Sequence, residues 1–253
     1  MISRSTVANF APGRKKGSAK CNHWKRAVPA AACAFALLIA ALETVPASAA
    51  PAEGDTYVYV EVNAYNNEVI GRFRERVERV DPDRITVSIE PVSAAAGLAR
   101  TEVLTKDGNW LQHPVVSRDQ RLEYHFAAPF PAYVFPLEPG KTWSRRVEAK
   151  VPGDARTRSV RVDGEVLGTE RIRVPAGEFD TVKIRRVVYP GDAEGTLNET
   201  TITEYEWYAP ALGRAVRATR ESLYMNISAS SSGQVHRGEK LRYELIEARP
   251  AGR

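Results

Sequence analysis

Cysteine is scarce in this 253-residue sequence, and both copies, Cys21 and Cys33, fall within the first 49 residues. Residues 50–253 can therefore form neither a disulfide nor a thiolate metal site. Histidine is almost as rare: after position 49 only His113, His125 and His236 remain. None stands at a metal-like spacing from another histidine or carboxylate, such as H-E-x-x-H, and each is expected at the surface or at a rim. No G-x-S-x-G elbow announces a serine nucleophile, and Ser228 to Gly233 reads as a loop. Gly140-Lys141-Thr142 imitates the end of a phosphate loop, but Phe135 stands where the first glycine belongs and Pro139 interrupts the turn. No cofactor is implied. Asn198-Glu199-Thr200 and Asn226-Ile227-Ser228 match a glycosylation pattern common by chance and carry no function in this reading.

Of 36 basic and 31 acidic residues, seven and one lie in residues 1–49, which leaves 29 and 30 in the remainder. The formal charge of +5 thus belongs to the leader, and the body has no excess for nucleic acid. In that leader Lys25-Arg26 precede an apolar stretch from Ala27 to Leu42, which ends at Ala47-Ser48-Ala49. Charged, apolar, then small at the third and first positions before the cut is the pattern of a secretory signal peptide. Residues 1–49 are accordingly expected to be removed near Ala49, with the mature chain periplasmic or secreted. No twin-arginine pair occurs, and Cys33 precedes most of the apolar core, where a lipid-modified cysteine would follow it. Later segments fall short of the roughly 20 apolar residues that span a bilayer, so no integral membrane segment is expected in the mature chain.

Residues 50–253 suffice for a single core. Apolar and polar residues alternate with period two, as in Val58, Val60 and Val62 between Tyr57, Tyr59 and Glu61, or in Leu241, Tyr243 and Leu245. Further strands are expected over 67–80, 84–90, 100–105, 120–126, 143–150, 155–169, 171–174, 179–189, 199–208 and 213–225. A weak helix is expected at Ser93–Arg100. Lys106-Asp107-Gly108-Asn109 marks a hairpin, so the sheet reads as an antiparallel meander. A Pro-rich and aromatic stretch, 127–140, reads as a packed crossover between two β-rich parts.

Two sets of residues are candidates for binding. Arg72, Arg74 and Arg76 share one strand face, which is either a solvated face or a basic rim for lipid head groups or acidic partners. Trp110, Trp143 and Trp207, with Tyr133 and Tyr208, offer large apolar faces with polar tips, as in core or pocket linings. Carboxylates are too plentiful to single out an acid–base pair.

Three stretches carry a resemblance: Phe135-Pro136-Leu137-Glu138-Pro139-Gly140-Lys141-Thr142-Trp143, Val174-Pro175-Ala176-Gly177-Glu178-Phe179-Asp180-Thr181, and Trp207-Tyr208-Ala209-Pro210-Ala211-Leu212-Gly213. Together, over residues 135–216, they resemble a widespread group of uncharacterised exported bacterial β-proteins. That group is similar in turn to the lipoprotein-localisation factors. The resemblance implies an all-β fold: a strongly curved antiparallel sheet, half-barrel or open barrel, with little helix. It also implies a lipid or other hydrophobic ligand on the concave face. The expected ligand contacts are Tyr133, Trp143, Trp207, Tyr208, Arg72 and Arg74. Two alternatives stand beside this reading: an envelope assembly protein pairing through an exposed strand edge, and an enzyme using unidentified carboxylates.

Overall fold

The computed structural model describes residues 51–93, 99–114, 123–190, 198–226 and 234–251. The leader lies outside them, as does most of the stretch expected to be helical. Among the described residues there is no helix. Twelve strands are present: β1 Thr56–Asn63, β2 Glu68–Val80, β3 Arg84–Pro91, β4 Arg100–Thr105, β5 Trp110–Pro114 and β6 Glu123–Phe130. They continue with β7 Thr142–Lys150, β8 Thr157–Val174, β9 Gly177–Tyr189, β10 Asn198–Ala209, β11 Arg214–Asn226 and β12 Gln234–Arg249. Every strand pairs antiparallel with its neighbours in sequence, and β1 also pairs with β12. The result is a closed up-and-down barrel.

Closure is where the structure departs from an open half-barrel. β1 pairs along its whole length on both sides, from Thr56↔Arg249 to Asn63↔Leu241 on one and from Thr56↔Arg76 to Asn63↔Glu68 on the other. The edges that β1 and β12 would have presented to strand augmentation are thereby paired, whereas β6 and β7 meet only at His125↔Lys150 and Phe126↔Ala149. Two further differences are local. The expected strands 155–169 and 171–174 are one strand, β8, which absorbs a bulge between Val166 and Gly168. The short β5 is also a strand in its own right, joined to β4 by the Lys106–Asn109 turn.

The motif turns behave as their chemistry requires. Val174 pairs with Gly177, so Pro175 and Ala176 form a two-residue hairpin loop, and Gly177 takes a φ of 139°. At the end of β10, Gly213 adopts φ 65° and donates from its N–H to the Ala209 carbonyl before β11 begins.

At the β8–β9 hairpin, alternation sends apolar side chains inward and charged ones outward. On β8 and β9, Ile172 and Val174 are buried while Arg171 and Arg173 meet Asp180 and Glu178 on the outer surface. Such outward charge is the reverse of the apolar belt carried by membrane-spanning barrels. Among the described residues no helix is long and apolar enough to cross a membrane.

Inside, two clusters fill most of the barrel. The stretch expected as a crossover begins inside β6 and, from 131 to 141, connects the adjacent strands β6 and β7 of a single barrel. One cluster, from β6 to β10 and this connection, includes Phe126, Phe130, Trp143, Val162, Ile184 and Tyr208. The other, from β1 to β3 with parts of β8, β11 and β12, includes Tyr57, Phe73, Val77, Ile85, Val174 and Leu245.

Candidate functional site

The barrel interior is not filled throughout. A chamber of about 510 Å³ borders both clusters, touching Tyr133 and Trp110 of the first and Tyr59, Phe73, Leu104 and Tyr243 of the second. Part of its wall is β11, where Ala218 stands between Glu206 and Tyr243 on the neighbouring strands. A methyl group at that place leaves space that a larger residue would take.

The remaining lining is unusually charged for a barrel core. Six inward glutamates face the chamber: Glu61, Glu75, Glu102, Glu204, Glu206 and Glu239. Arg100, Arg214 and Arg220 stand among them, and Arg186 lies fully buried behind Glu204 and Glu206. Burying so many ions is tolerable only with close pairing, and that is what the strands arrange.

On β4 and β5, the Glu102 carboxylate accepts from Arg100 Nε at 3.2 Å and from Trp110 Nε1 at 3.2 Å, while His113 Nδ1 stands 3.1 Å away. His113 stacks on Trp110 with ring centroids 4.1 Å apart. Burial alone would push the Glu102 carboxyl up, but His113 and Arg100 outweigh it and hold it down at about 2.

Across the chamber, Arg186 is 1% exposed. Its guanidinium donates to Glu204 Oε2 at 3.2 Å, to Glu206 and to the Ala132 carbonyl at 3.1 Å. Tyr133 completes this unit by donating its hydroxyl to Glu206 Oε2 at 2.7 Å. The Arg186 guanidinium also lies 5.5 Å from the Trp110 ring and 5.6 Å from that of Tyr133. Burial opposes the arginine's charge, yet Glu206 and Glu204 more than compensate and raise its pKa. Burial and the adjoining Glu206 drive the Tyr133 hydroxyl well above its ordinary range.

A third pair joins β11 to β2: Arg214 donates to Glu75 Oε2 at 2.8 Å and caps the Tyr57 ring at 3.6 Å. Burial raises the Glu75 carboxyl, with Arg214 opposing. Nearby, Tyr59 stacks on Phe73 at 5.4 Å, and Tyr243 meets the same ring edge-on at 5.9 Å.

Of the residues expected to hold a ligand, Tyr133 reaches the chamber, and Tyr208 packs behind it with ring centroids 5.0 Å apart. Trp143 is not part of the lining; it is buried in the first cluster and donates to the Pro131 carbonyl at 3.0 Å. Trp207 points outward, where its indole donates to Glu170 Oε1 at 2.7 Å and lies beneath Lys183 at 4.7 Å. Arg72 and Arg74 are exposed on the outer face of β2, beside Val60 and Val58 of β1. Those outward valines are only 9% exposed and are flanked in the register by Arg72, Arg74 and Glu244. Among the histidines, His125 pairs with Glu123 on the surface and His236 stacks on Tyr224, whereas His113 faces the chamber.

The charged residues of the chamber escaped the sequence reading because Glu204-Tyr205-Glu206-Trp207 looks like acids outward and aromatics inward. Counting by twos from the buried Ile202 places Glu204 and Glu206 inward and Trp207 outward, as the strand register does. Among the described residues, no group of three or more His, Cys, Asp or Glu side chains is placed to hold a metal ion.

No protein-family profile matches the chain. No curated protein matches it in sequence. Similar solved structures include a provisionally assigned lipoprotein of Parabacteroides distasonis, with 16% identity, 79% of this chain and 97% of that one covered, and a TM-score of 0.47. A second is a provisionally assigned exported protein of Bacteroides fragilis with a YmcC-like fold, with 16% identity, coverages of 80% and 98%, and a TM-score of 0.42. A third is the hypothetical lipoprotein YmcC of Escherichia coli, with 10% identity, coverages of 78% and 85%, and a TM-score of 0.39.

Proposed function

We propose that this protein is exported and acts as a binding module, holding a small amphipathic molecule inside its barrel. The observation that carries the reading is the chamber of about 510 Å³, a volume within the range of small-molecule sites, in a barrel otherwise packed with side chains. Its walls say what kind of molecule fits. Tyr59, Phe73, Trp110 and Tyr243 offer apolar faces, while the ionised rows of β4, β10 and β11 demand polar partners. A bare acyl chain would leave those ions facing hydrocarbon, so the ligand is a compact molecule with one apolar and one polar part. Export rests on the leader sequence, with its basic, apolar and small-residue regions ending at Ala49.

The gathered carboxylates would also suit an acid–base enzyme. Against that, Glu102 and Glu204 are each tied to arginine and held below the ordinary carboxylate range, an arrangement that does not leave either carboxyl free to exchange a proton. Native mass spectrometry of the mature protein, recovered gently from the cell envelope, tests the binding reading. A stoichiometric adduct that extracts into organic solvent supports it, and a bare protein mass under conditions that preserve the fold refutes it.

A further inference from the structure

We infer that the molecule held in the chamber is an organic cation, an ammonium group on an aromatic or aliphatic body. This rests on the binding reading above and adds the sign of the ligand's charge.

Among the described residues, six glutamates face the chamber, and four arginines, Arg100, Arg186, Arg214 and Arg220, face or back it. Arg217 also borders the chamber, but its guanidinium donates to Glu244 Oε1 at 2.9 Å and to the Arg173 carbonyl at 2.8 Å. Glu123 turns outward to His125 at 2.8 Å. The described lining is therefore acidic on balance, with six carboxylates against four guanidinium groups and the His113 imidazole. In a low-dielectric enclosure an excess of one sign attracts the opposite sign strongly.

The aromatic surface points the same way. The protein's own cations already use these rings: Arg100 lies 5.9 Å from the Phe73 centroid and Arg186 5.5 Å from that of Trp110. Tyr59, Phe73 and Tyr243 form a continuous aromatic wall, with Glu61 directly opposite Tyr243 in the strand register. An ammonium placed there meets the negative faces of rings and a carboxylate together, the combination that selects organic cations. An anionic ligand would meet the glutamate excess first.

The test compares three probes of nearly equal shape, phenethylamine, phenethyl alcohol and phenylacetate, titrated calorimetrically into the mature protein at neutral pH and low salt. The amine is expected to bind about tenfold to a hundredfold more tightly than the alcohol, the worth of one charge-assisted hydrogen bond, and phenylacetate more weakly than either. Glu61→Gln and Glu239→Gln, made separately and checked for folding by circular dichroism, should each weaken the amine while leaving the alcohol nearly unchanged. Equal affinity for amine and alcohol overturns the cationic assignment while leaving the binding reading intact. Tightest binding of phenylacetate overturns it as well. Failure of all three to bind overturns both the cationic assignment and the small-ligand reading.

Discussion

The indole of Trp143 sits directly on Gly164, its cross-strand partner on β8: a Cβ built at Gly164 would fall 2.1 Å from Cε2 and 2.2 Å from Cζ2 of the ring. The ring needs that space because it also reaches the β6–β7 connection, where Nε1 donates to the Pro131 carbonyl. Gly164→Ala is therefore expected to destabilise at the upper end of the about 1–3 kcal/mol seen for overpacked cores. Urea unfolding measures this, and pairing the change with Trp143→Leu should recover part of the loss. Additive losses would show that the two residues are not in contact.

Arg186 holds two glutamates at once. Replacing it with Met leaves Glu204 and Glu206 buried without their principal counter-charge, and should lower stability by about 3–5 kcal/mol. The combined replacement Arg186→Met, Glu204→Gln, Glu206→Gln should be much milder than Arg186→Met alone. Thermal unfolding of the two variants at the same pH decides the matter.

Glu102 makes stability depend on acid in a known direction. Its carboxyl titrates at about 2 in the folded barrel, against an ordinary value of 4.5. A depressed carboxyl contributes stability that is fully present above the ordinary value and is lost as pH falls from about 4.5 toward 2. The wild type should therefore lose stability across this window faster than Glu102→Gln, and the two curves should converge at the acid end. Parallel curves would mean that the Arg100, Trp110 and His113 contacts do not hold this charge.

The outer arginines and the outer tryptophan make a contrasting prediction. Arg72→Ser with Arg74→Ser, or Trp207→Phe, should leave ligand retention unchanged within error, because these side chains are on the face of the sheet away from the chamber. Tyr133→Phe should weaken retention, since it removes the hydroxyl that bonds Glu206 beside the chamber. The readout is the fraction of protein carrying the adduct in native mass spectra. Loss of the adduct in the double arginine variant would move the site to the outer surface.

Much of the fold was legible in the sequence because alternation and turn chemistry are local. Val174-Pro175-Ala176-Gly177 dictates a two-residue loop wherever it occurs, and β4 runs over the very residues, 100–105, that alternation marks out. Neighbouring strands are forced together where the turn is short, as at Lys106–Asn109 and Pro175-Ala176, which leave no length for another path.

Closure and the chamber were different. Whether β1 meets β12 depends on how far the twist of ten intervening strands brings residues such as Tyr59 and Leu245 round to each other, a property of the sheet as a whole. The face on which Glu204, Glu206 and Trp207 lie depends on register, and a shift of one residue would exchange the chamber's charges for the outer tryptophan. Arg186 meets Glu204 and Glu206 across two paired strands, and Arg214 meets Glu75 from 139 residues away in the chain. By itself the sequence determined a cysteine-free, antiparallel β-chain behind a basic apolar leader, since composition and short-range pattern suffice for that. Only the tertiary structure decided that the sheet closes and encloses an acidic, aromatic chamber, because a site assembled from distant strands exists only once they are in register.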